Sequence, residues 1–143
     1  MAILDARTWL EHLSAATCWE LLAAHEVGRL GVLVDSAPEI LPVNYAVDHA
    51  SIVFRTDQGG KLRGLDRSPA VCFELDGVDE EAHTGWSVLV KGRSRVVTDS
   101  AELRQLQSVR LDFWGAGPKV RWVRIEPTEV TGRRLLPPRR PHP

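Results

Sequence analysis

A short segment near the middle of the chain combines residue types that bind phosphate. Residues 51–62 read Ser-Ile-Val-Phe-Arg-Thr-Asp-Gln-Gly-Gly-Lys-Leu. The apolar run at its start predicts a β-strand that delivers Arg55 and Thr56 into a glycine turn, which Lys61 closes. Two cations, a hydroxyl group and the free N–H groups around Gly60 suit a phosphate dianion, and a helix starting near Lys61 would add its positive end. The residues alone leave a second interpretation open, a solvated turn whose glycines only supply positive φ angles.

The elements that lead into this turn predict a β-rich fold. Thr-x-x-Glu at residues 8–11 and again at 17–20 resembles a helix capping box, and Gly28 is expected to end the second helix. From residue 29 to residue 56 the hydrophobic period is two, with turns near residues 35–38 and 48–50, which indicates a three-stranded meander. Its middle strand places Leu41, Val43, Tyr45 and Val47 on the inward face and Ile40, Pro42, Asn44 and Ala46 on the other.

The elements after the turn continue the pattern. A short helix is expected over residues 62–65, then a strand with Val71, Phe73 and Leu75 on one face, and then an acidic, solvent-facing loop over residues 76–81.

The longest predicted strand covers residues 85–97, and Gly92 within it indicates a bulge of the sort that lets a sheet curl. A helix capped by Asp99 with Glu102 follows, and residues 120–125 and 130–134 read as closing strands. The sequence therefore predicts a mainly β (α+β) fold, a six- to seven-stranded antiparallel split β-barrel with short flanking helices.

Size and composition indicate one domain of a cytoplasmic protein. The 143 residues are 43% hydrophobic and 26% charged, and no apolar run reaches the roughly 20 residues of a membrane span. Residues 1–134 are expected to form the split-barrel domain, and residues 135–143 a proline-rich basic tail that is expected to be disordered. No export signal is read at the start. Cys18 and Cys72 are expected to be buried, reduced thiols.

The charge of the chain is sorted along its length. Residues 1–84 contain 6 basic and 14 acidic side chains, whereas residues 85–143 contain 12 basic and 5 acidic ones. Much of the basic charge lies at period two along strands and in the last eleven residues, with no nucleic-acid reading motif, so complementarity within the chain or between subunits explains it better. Binding to nucleic acid or to a membrane is not expected.

No other constellation predicts a chemical site. The five histidines have none of the spacings of a zinc site, so no metal is expected. Ser87 has no base nearby in the sequence that would support a hydrolase triad. Trp86 on its own is typical of a core or interface position, and Asn44 of a satisfied polar residue.

The order of these segments resembles a known family. A helix ending in Ala-His-Glu-Val-Gly-Arg-Leu-Gly is followed by Ile-Leu-Pro-Val-Asn-Tyr, Val-Phe-Arg-Thr with Gly-Gly-Lys-Leu, Ser-Pro-Ala-Val-Cys-Phe-Glu and Gly-Trp-Ser-Val-Leu-Val-Lys-Gly-Arg-Ser-Arg-Val. Together they resemble the pyridoxamine 5'-phosphate oxidase-like family of FMN-binding split β-barrels, over about residues 14–131.

The resemblance implies where a flavin would lie. The residues that match the family's cofactor site fall into three groups. They are Arg55, Thr56, Gly60 and Lys61 for the phosphate; Pro42, Val43, Asn44, Tyr45, Val53 and Phe54 for the flavin ring; and Trp86 and Ser87 contributed by a second subunit. A homodimer is implied in the same way, and so is FMN binding by the domain of residues 1–134. The chain has Ser87 near the position where true pyridoxamine phosphate oxidases carry a glutamine, and its C-terminal segment differs from theirs.

The function that this resemblance implies is an FMN-dependent oxidoreductase that acts on an unknown small molecule. The chemistry would occur on the flavin, because no side chain stands out as an acid, base or nucleophile. Two alternatives remain open on the same fold. One is a reductase that uses a deazaflavin coenzyme, and the other is a non-catalytic protein that binds flavin or haem.

Overall fold

The computed structural model describes residues 3–5, 9–57, 64–65, 69–112 and 121–137. In chain order its elements are β1 (Ile3–Asp5), β2 (Leu10–Leu13), α1 (Ala15–Ala23), β3 (Val27–Val34), β4 (Ala37–Asn44), β5 (Ala46–Asp48), β6 (Ser51–Thr56), β7 (Ala70–Asp79), β8 (Thr84–Val96), α2 (Ser100–Leu106) and β9 (Arg121–Leu135). No helix in these ranges is long and apolar enough to span a bilayer.

The nine strands of the described ranges form one antiparallel sheet. Its main path runs β1-β2-β9-β8-β7-β3-β4, and β6 pairs with β5 and with the first part of β9. One edge of β9 therefore holds β6 over residues 121–125 and β2 over residues 132–135, while the other edge pairs with β8. The sheet curls on itself through these shared pairings, and the predicted antiparallel split β-barrel is confirmed.

The start of the chain differs from the sequence prediction. The Thr-x-x-Glu signal at residues 8–11 does not begin a helix, because residues 10–13 form β2 and pair with the end of β9. Pairing with β2 satisfies the backbone N–H and C=O groups on that edge of β9. This gain outweighs a weak local helix signal. The second predicted helix begins three residues earlier than the capping box at residues 17–20 predicts. Ser14 is the N-cap of α1, and its Oγ accepts a hydrogen bond from the Thr17 N–H at 3.2 Å.

The two predicted hairpin turns are present and are tight. Asp35 and Ser36 join β3 to β4, and His49 and Ala50 join β5 to β6, all four with φ between 47° and 65°. A two-residue loop with positive φ at both positions matches the twist of the strands that it connects. Because β4 is an edge strand of the sheet path, it accommodates proline without losing a ladder hydrogen bond.

The barrel encloses one main hydrophobic core. The predicted inward faces are confirmed, since Val43, Tyr45, Phe73 and Leu75 are all at most 6% exposed. The other members of this core come from all parts of the barrel and from α1. They are Cys18, Leu22, Leu30, Val32, Ile52, Phe54, Leu65, Val71, Val88, Val90, Val123 and Ile125.

A second, smaller cluster lies outside the barrel under α2, and we call it the outer cluster. Val53, Val97 and Leu106 are buried in it, and Ala46, Leu103, Val109 and Trp122 pack against them. The predicted cap of α2 is confirmed, because Asp99 accepts a hydrogen bond from the Glu102 N–H at 3.0 Å. The helix thus covers the outward side chains of β6 and β9.

The long strands are more continuous than predicted. The two expected closing strands are halves of β9, which is interrupted only by a bulge opposite Lys91 and Gly92. The bulge at Gly92 is confirmed, and a Cβ there would overlap the carbonyl group of Glu126. The acidic loop is shorter than expected because β7 continues to Asp79 and pairs with β8 up to Thr84.

The two cysteines are free thiols in different surroundings. Cys18 is buried against Gly132, and this burial raises the pKa of its thiol. The expected burial of Cys72 is wrong, since strand alternation turns it to the exposed outer face beside Gly31. The helix predicted over residues 62–65 lies partly outside the described residues, and so does the tail beyond residue 137.

Candidate functional site

Arg55 lies near the end of β6, where strand alternation turns its side chain to the outside of the barrel. Its neighbours Phe54 and Thr56 face the core and are 0% and 2% exposed. Arg55 is half-buried, and Trp122 is its partner in the β6–β9 register. The guanidinium Cζ lies 5.3 Å from the centroid of the Trp122 ring, a cation–π contact. The outer face of β6 therefore presents a positive charge packed on an aromatic ring.

The other residues of the predicted phosphate site are placed only in part. Thr56 directly follows Arg55 but is buried and faces the core, so the two side chains point to opposite faces of β6 and do not converge on one outer surface. Gly60 and Lys61 lie outside the described residues. The participation of the glycine turn therefore stays a prediction.

Most of the residues predicted to contact a flavin ring have side chains that point into the protein, so a ring could meet mainly their backbone. Val43, Tyr45 and Phe54 point into the main core, and Val53 into the outer cluster. Pro42 is exposed and Asn44 is half-buried, on the opposite face of β4 from Val43. A planar ligand beside Pro42, Asn44 and β6 would therefore meet two side chains and the edges of two strands.

Tyr45 is held as a structural side chain. Its hydroxyl group donates a hydrogen bond to the Leu22 carbonyl oxygen at 2.6 Å, and its ring meets the Phe73 ring edge-on at 4.7 Å. Burial raises the pKa of the Tyr45 phenol, so it stays protonated at physiological pH. Tyr45 therefore fixes the junction of β4 and β5 and is no acid or base.

Trp86 and Ser87 lie at the start of β8, beside the ends of β7 and β9. Trp86 pairs with Gly77, and its indole ring occupies the space over that glycine, 5.2 Å from the His25 ring. Ser87 pairs with Asp76 on one side and with Arg133 on the other. They border a cleft of about 600 Å³, which has a size typical of small-molecule sites. The cleft is lined mainly by Leu10, Asp76, Val78, His83, Trp86, Ser87, Arg133 and Leu135.

The register of β9 separates the two groups of predicted site residues within one chain. Arg55 pairs with Trp122 of β9, whereas Ser87 pairs with Arg133, eleven residues further along the same strand. At about 3.3 Å per residue, this corresponds to roughly 35 Å of strand. The structure thus places Arg55 and Thr56 beside one part of β9, and Trp86 and Ser87 beside another part of the same strand.

Sequence reasoning missed a buried ionic network beside the outer cluster. Arg124 is 8% exposed and donates hydrogen bonds to Ser51 Oγ, to Asp48 Oδ2 at 2.9 Å and to Glu102 Oε1 at 2.8 Å. Arg95 makes two further hydrogen bonds to the Glu102 carboxylate. The hydrogen bonds from Arg95, with those from Arg124, lower the pKa of Glu102. This network fastens α2 to the β5–β6 hairpin.

The outer face of the sheet carries an acidic pair with one arginine. Arg29 Nη1 lies 3.3 Å from Asp76 Oδ1 and 3.7 Å from Glu74 Oε1. Burial, together with the neighbouring Asp76 carboxylate, raises the pKa of Glu74, while Arg29 opposes this rise. Asp76 is the register partner of Ser87 and itself lines the 600 Å³ cleft.

Comparison with protein families identifies the barrel. The family model described as pyridoxamine 5'-phosphate oxidase matches residues 14–134, nearly all of the described barrel. The chain belongs to this family. The resemblance seen in the sequence is confirmed, and the fold agrees with it.

Individual proteins are similar to this chain over most of their length. An FAD-binding protein of Mycobacterium smegmatis is 40% identical, with a TM-score of 0.71 over 86% of this chain and 98% of its own. A putative pyridoxamine 5'-phosphate oxidase of Corynebacterium glutamicum is 32% identical, with a TM-score of 0.78 over 88% and 92%. An uncharacterised Mycobacterium tuberculosis protein, Rv0080, is 34% identical over 81% of this chain and 79% of its own.

Proposed function

We propose that this chain binds a flavin nucleotide and is an oxidoreductase that acts on a small molecule. The observation that carries the proposal is Arg55, an outward-facing cation at the end of β6 that packs on Trp122 and lies a few residues before the Gly-Gly-Lys sequence. An arginine there suits the phosphate of a flavin, which takes charge-assisted hydrogen bonds from a guanidinium group. The family membership supports the same assignment.

The described residues fit such a ligand by providing few but well-placed side chains. Arg55 supplies charge for the phosphate, and Pro42 and Asn44 stand on the outward face of β4. The deep burial of Val43 and Phe54 leaves their backbone groups to face a ring. Ligand sites of this type are made largely of apolar and backbone surface with a few polar groups.

FMN is the form that we predict, and FAD is the alternative. The phosphate next to the ribityl chain is common to both, so Arg55 serves either one. The M. smegmatis protein that is 40% identical to this chain binds FAD, which supports the dinucleotide. The choice between FMN and FAD depends on whether the protein has room for an adenosine moiety next to the phosphate.

We propose in addition that two copies of the chain form the complete site. The outer face of the sheet exposes apolar side chains, among which Ile40 is 74% and Val78 71% exposed. Burying exposed apolar surface lowers the free energy, and symmetric pairing of two identical subunits is the commonest way to bury such a face. Trp86 and Ser87 of a second subunit would then complete the site next to Arg55, which they do not reach along β9 within one chain.

A bound flavin supplies the hydride or electron transfer of the reaction. The role of the protein is to bind the flavin and the substrate and to orient them towards each other. Arg55 fixes the phosphate end, and the rigid core around Tyr45 holds β4 and β5 in place. The 600 Å³ cleft beside Trp86 and Ser87 offers space for a small substrate.

Spectroscopy and reconstitution test the proposal. The purified protein is expected to show the absorption bands of an oxidised flavin, and the ligand released on denaturation identifies FMN or FAD by chromatography. An apoprotein is then titrated with FMN, FAD, riboflavin and a deazaflavin coenzyme. A Soret band, or binding of the deazaflavin alone, would contradict the flavin assignment. A bound flavin that neither NADH nor NADPH reduces, and that no acceptor reoxidises once reduced chemically, would contradict the oxidoreductase.

A further inference from the structure

Trp122 lies next to Arg55 and contacts its side chain. The two residues are partners in the β6–β9 register, and the guanidinium group lies over the indole ring. Trp122 is half-buried, so one part of its ring packs in the protein while the Arg55 side chain covers another. Sequence reasoning singled out Trp86 and passed over Trp122.

Trp122 is anchored through both its backbone and its side chain. The backbone carbonyl oxygen of Trp122 accepts a hydrogen bond from the Val97 N–H at 2.9 Å, and on the other edge of β9 the residue pairs with β6. The side chain packs in the outer cluster with Leu103 and Leu106 of α2. An anchored aromatic face is a rigid support for a cation that stacks on it.

We propose that Trp122 is a positioning residue, whose ring holds the Arg55 guanidinium group in place for the phosphate of the flavin. This inference rests on the proposed function. A free arginine side chain has many rotamers, and ordering it on binding costs free energy. Stacking on Trp122 orders the chain beforehand while the edge of the guanidinium group stays able to donate hydrogen bonds.

The inference predicts a loss confined to the phosphate. Trp122→Leu keeps an apolar side chain in the outer cluster but removes the ring, and we expect it to weaken FMN binding by about fivefold to tenfold. Riboflavin has the same ring system without phosphate, so its affinity should change by less than about twofold. Trp122→Phe, which keeps an aromatic face, should retain most of the FMN affinity.

A double-mutant cycle shows whether Trp122 acts through Arg55. In an Arg55→Ala background, Trp122→Leu should have no further effect on FMN affinity. Leu103→Ala is the matched control, because it loosens the same cluster without touching the cation–π contact. It should lower the melting temperature and leave the ratio of FMN to riboflavin affinity unchanged. Equal losses for both ligands, or the same loss with and without Arg55, would overturn the inference.

An NMR readout tests the contact without any flavin. A guanidinium group that lies over an indole ring experiences its ring current, so the Nε–H resonance of Arg55 should shift upfield and return towards its ordinary position in Trp122→Leu. If the wild type shows this shift but binds no FMN, the proposed function fails although the contact exists. If FMN binds and the resonance is unshifted, the positioning role fails and the proposed function stands.

Discussion

The ring of Phe73 fills the space that a side chain at position 28 would need. A Cβ on Gly28 would overlap three carbons of that ring, and the same ring meets Tyr45 edge-on at 4.7 Å. Gly28 was expected to end a helix, but it lies inside β3, where its lack of a side chain lets β3 and β7 enclose the phenyl group. The glycine thus shapes the core directly behind the β4–β5 junction.

Gly28→Ala should destabilise the fold strongly. The added methyl group forces the buried Phe73 ring from its position, and we expect the free energy of unfolding to fall by about 2–3 kcal/mol in urea titrations. Gly31→Ala, in the same strand, is the matched control. A Cβ there meets the sulfur of Cys72, an exposed side chain that can rotate away. Equal effects of the two substitutions would contradict this view of the core.

Local pattern predicted the faces of the strands correctly, but not every pairing. Alternation along β4 and β7 correctly predicted the inward residues. Gly92 predicted the bulge, and Asp99 predicted the cap of α2. Residues 10–13 were misassigned because their partners lie on β9, more than a hundred residues away. Pairings this distant are decided by tertiary context.

The same limit explains the missed tryptophan. The period of two along β9 could have placed Trp122 on the face opposite Val123, which is buried in the core. Nothing in the sequence, however, gives the register that sets Trp122 against Arg55. The ionic network around Arg124 was missed for the same reason, since its partners come from three separate elements.

The network around Arg124 should make stability depend on pH on the acid side. The pKa of Glu102 is lowered in the folded state, so its stabilisation is complete above the ordinary pKa of a glutamate and is lost as the pH falls through the folded-state value. Glu102→Gln should lower the free energy of unfolding by about 1–3 kcal/mol at about pH 7. The difference from the wild type should shrink below about pH 4.

Glu126→Gln is the control for this prediction. Glu126 also bonds to Arg95, at 2.7 Å, but its side chain is 58% exposed, so the substitution should cost less than about 1 kcal/mol. Unfolding curves measured across the acid range would decide the matter. A Glu102→Gln difference that stays constant with pH would show that the carboxylate charge is not what holds α2 in place.

The exposed outer face of the sheet should be a subunit interface. Sedimentation at micromolar concentration is expected to give a species of twice 15.9 kDa. Ile40→Glu places a charge at a large apolar residue of this face that is 74% exposed, and it should shift the protein towards monomer, with weaker flavin binding. Ala16→Glu, an exposed position on α1, should leave both unchanged. A wild-type monomer that still holds flavin would contradict the shared site.

The most direct test of the flavin assignment is to compare FMN and riboflavin affinities of the wild type and Arg55→Ala by calorimetric titration. Arg55→Ala removes a charge-assisted contact worth about 1.5–3 kcal/mol, so FMN affinity should fall by roughly tenfold to a hundredfold. Riboflavin affinity should barely change, because riboflavin has no phosphate. Lys61→Ala should behave in the same way. Equal losses for FMN and riboflavin, or no loss for either, would show that the end of β6 does not bind a flavin phosphate.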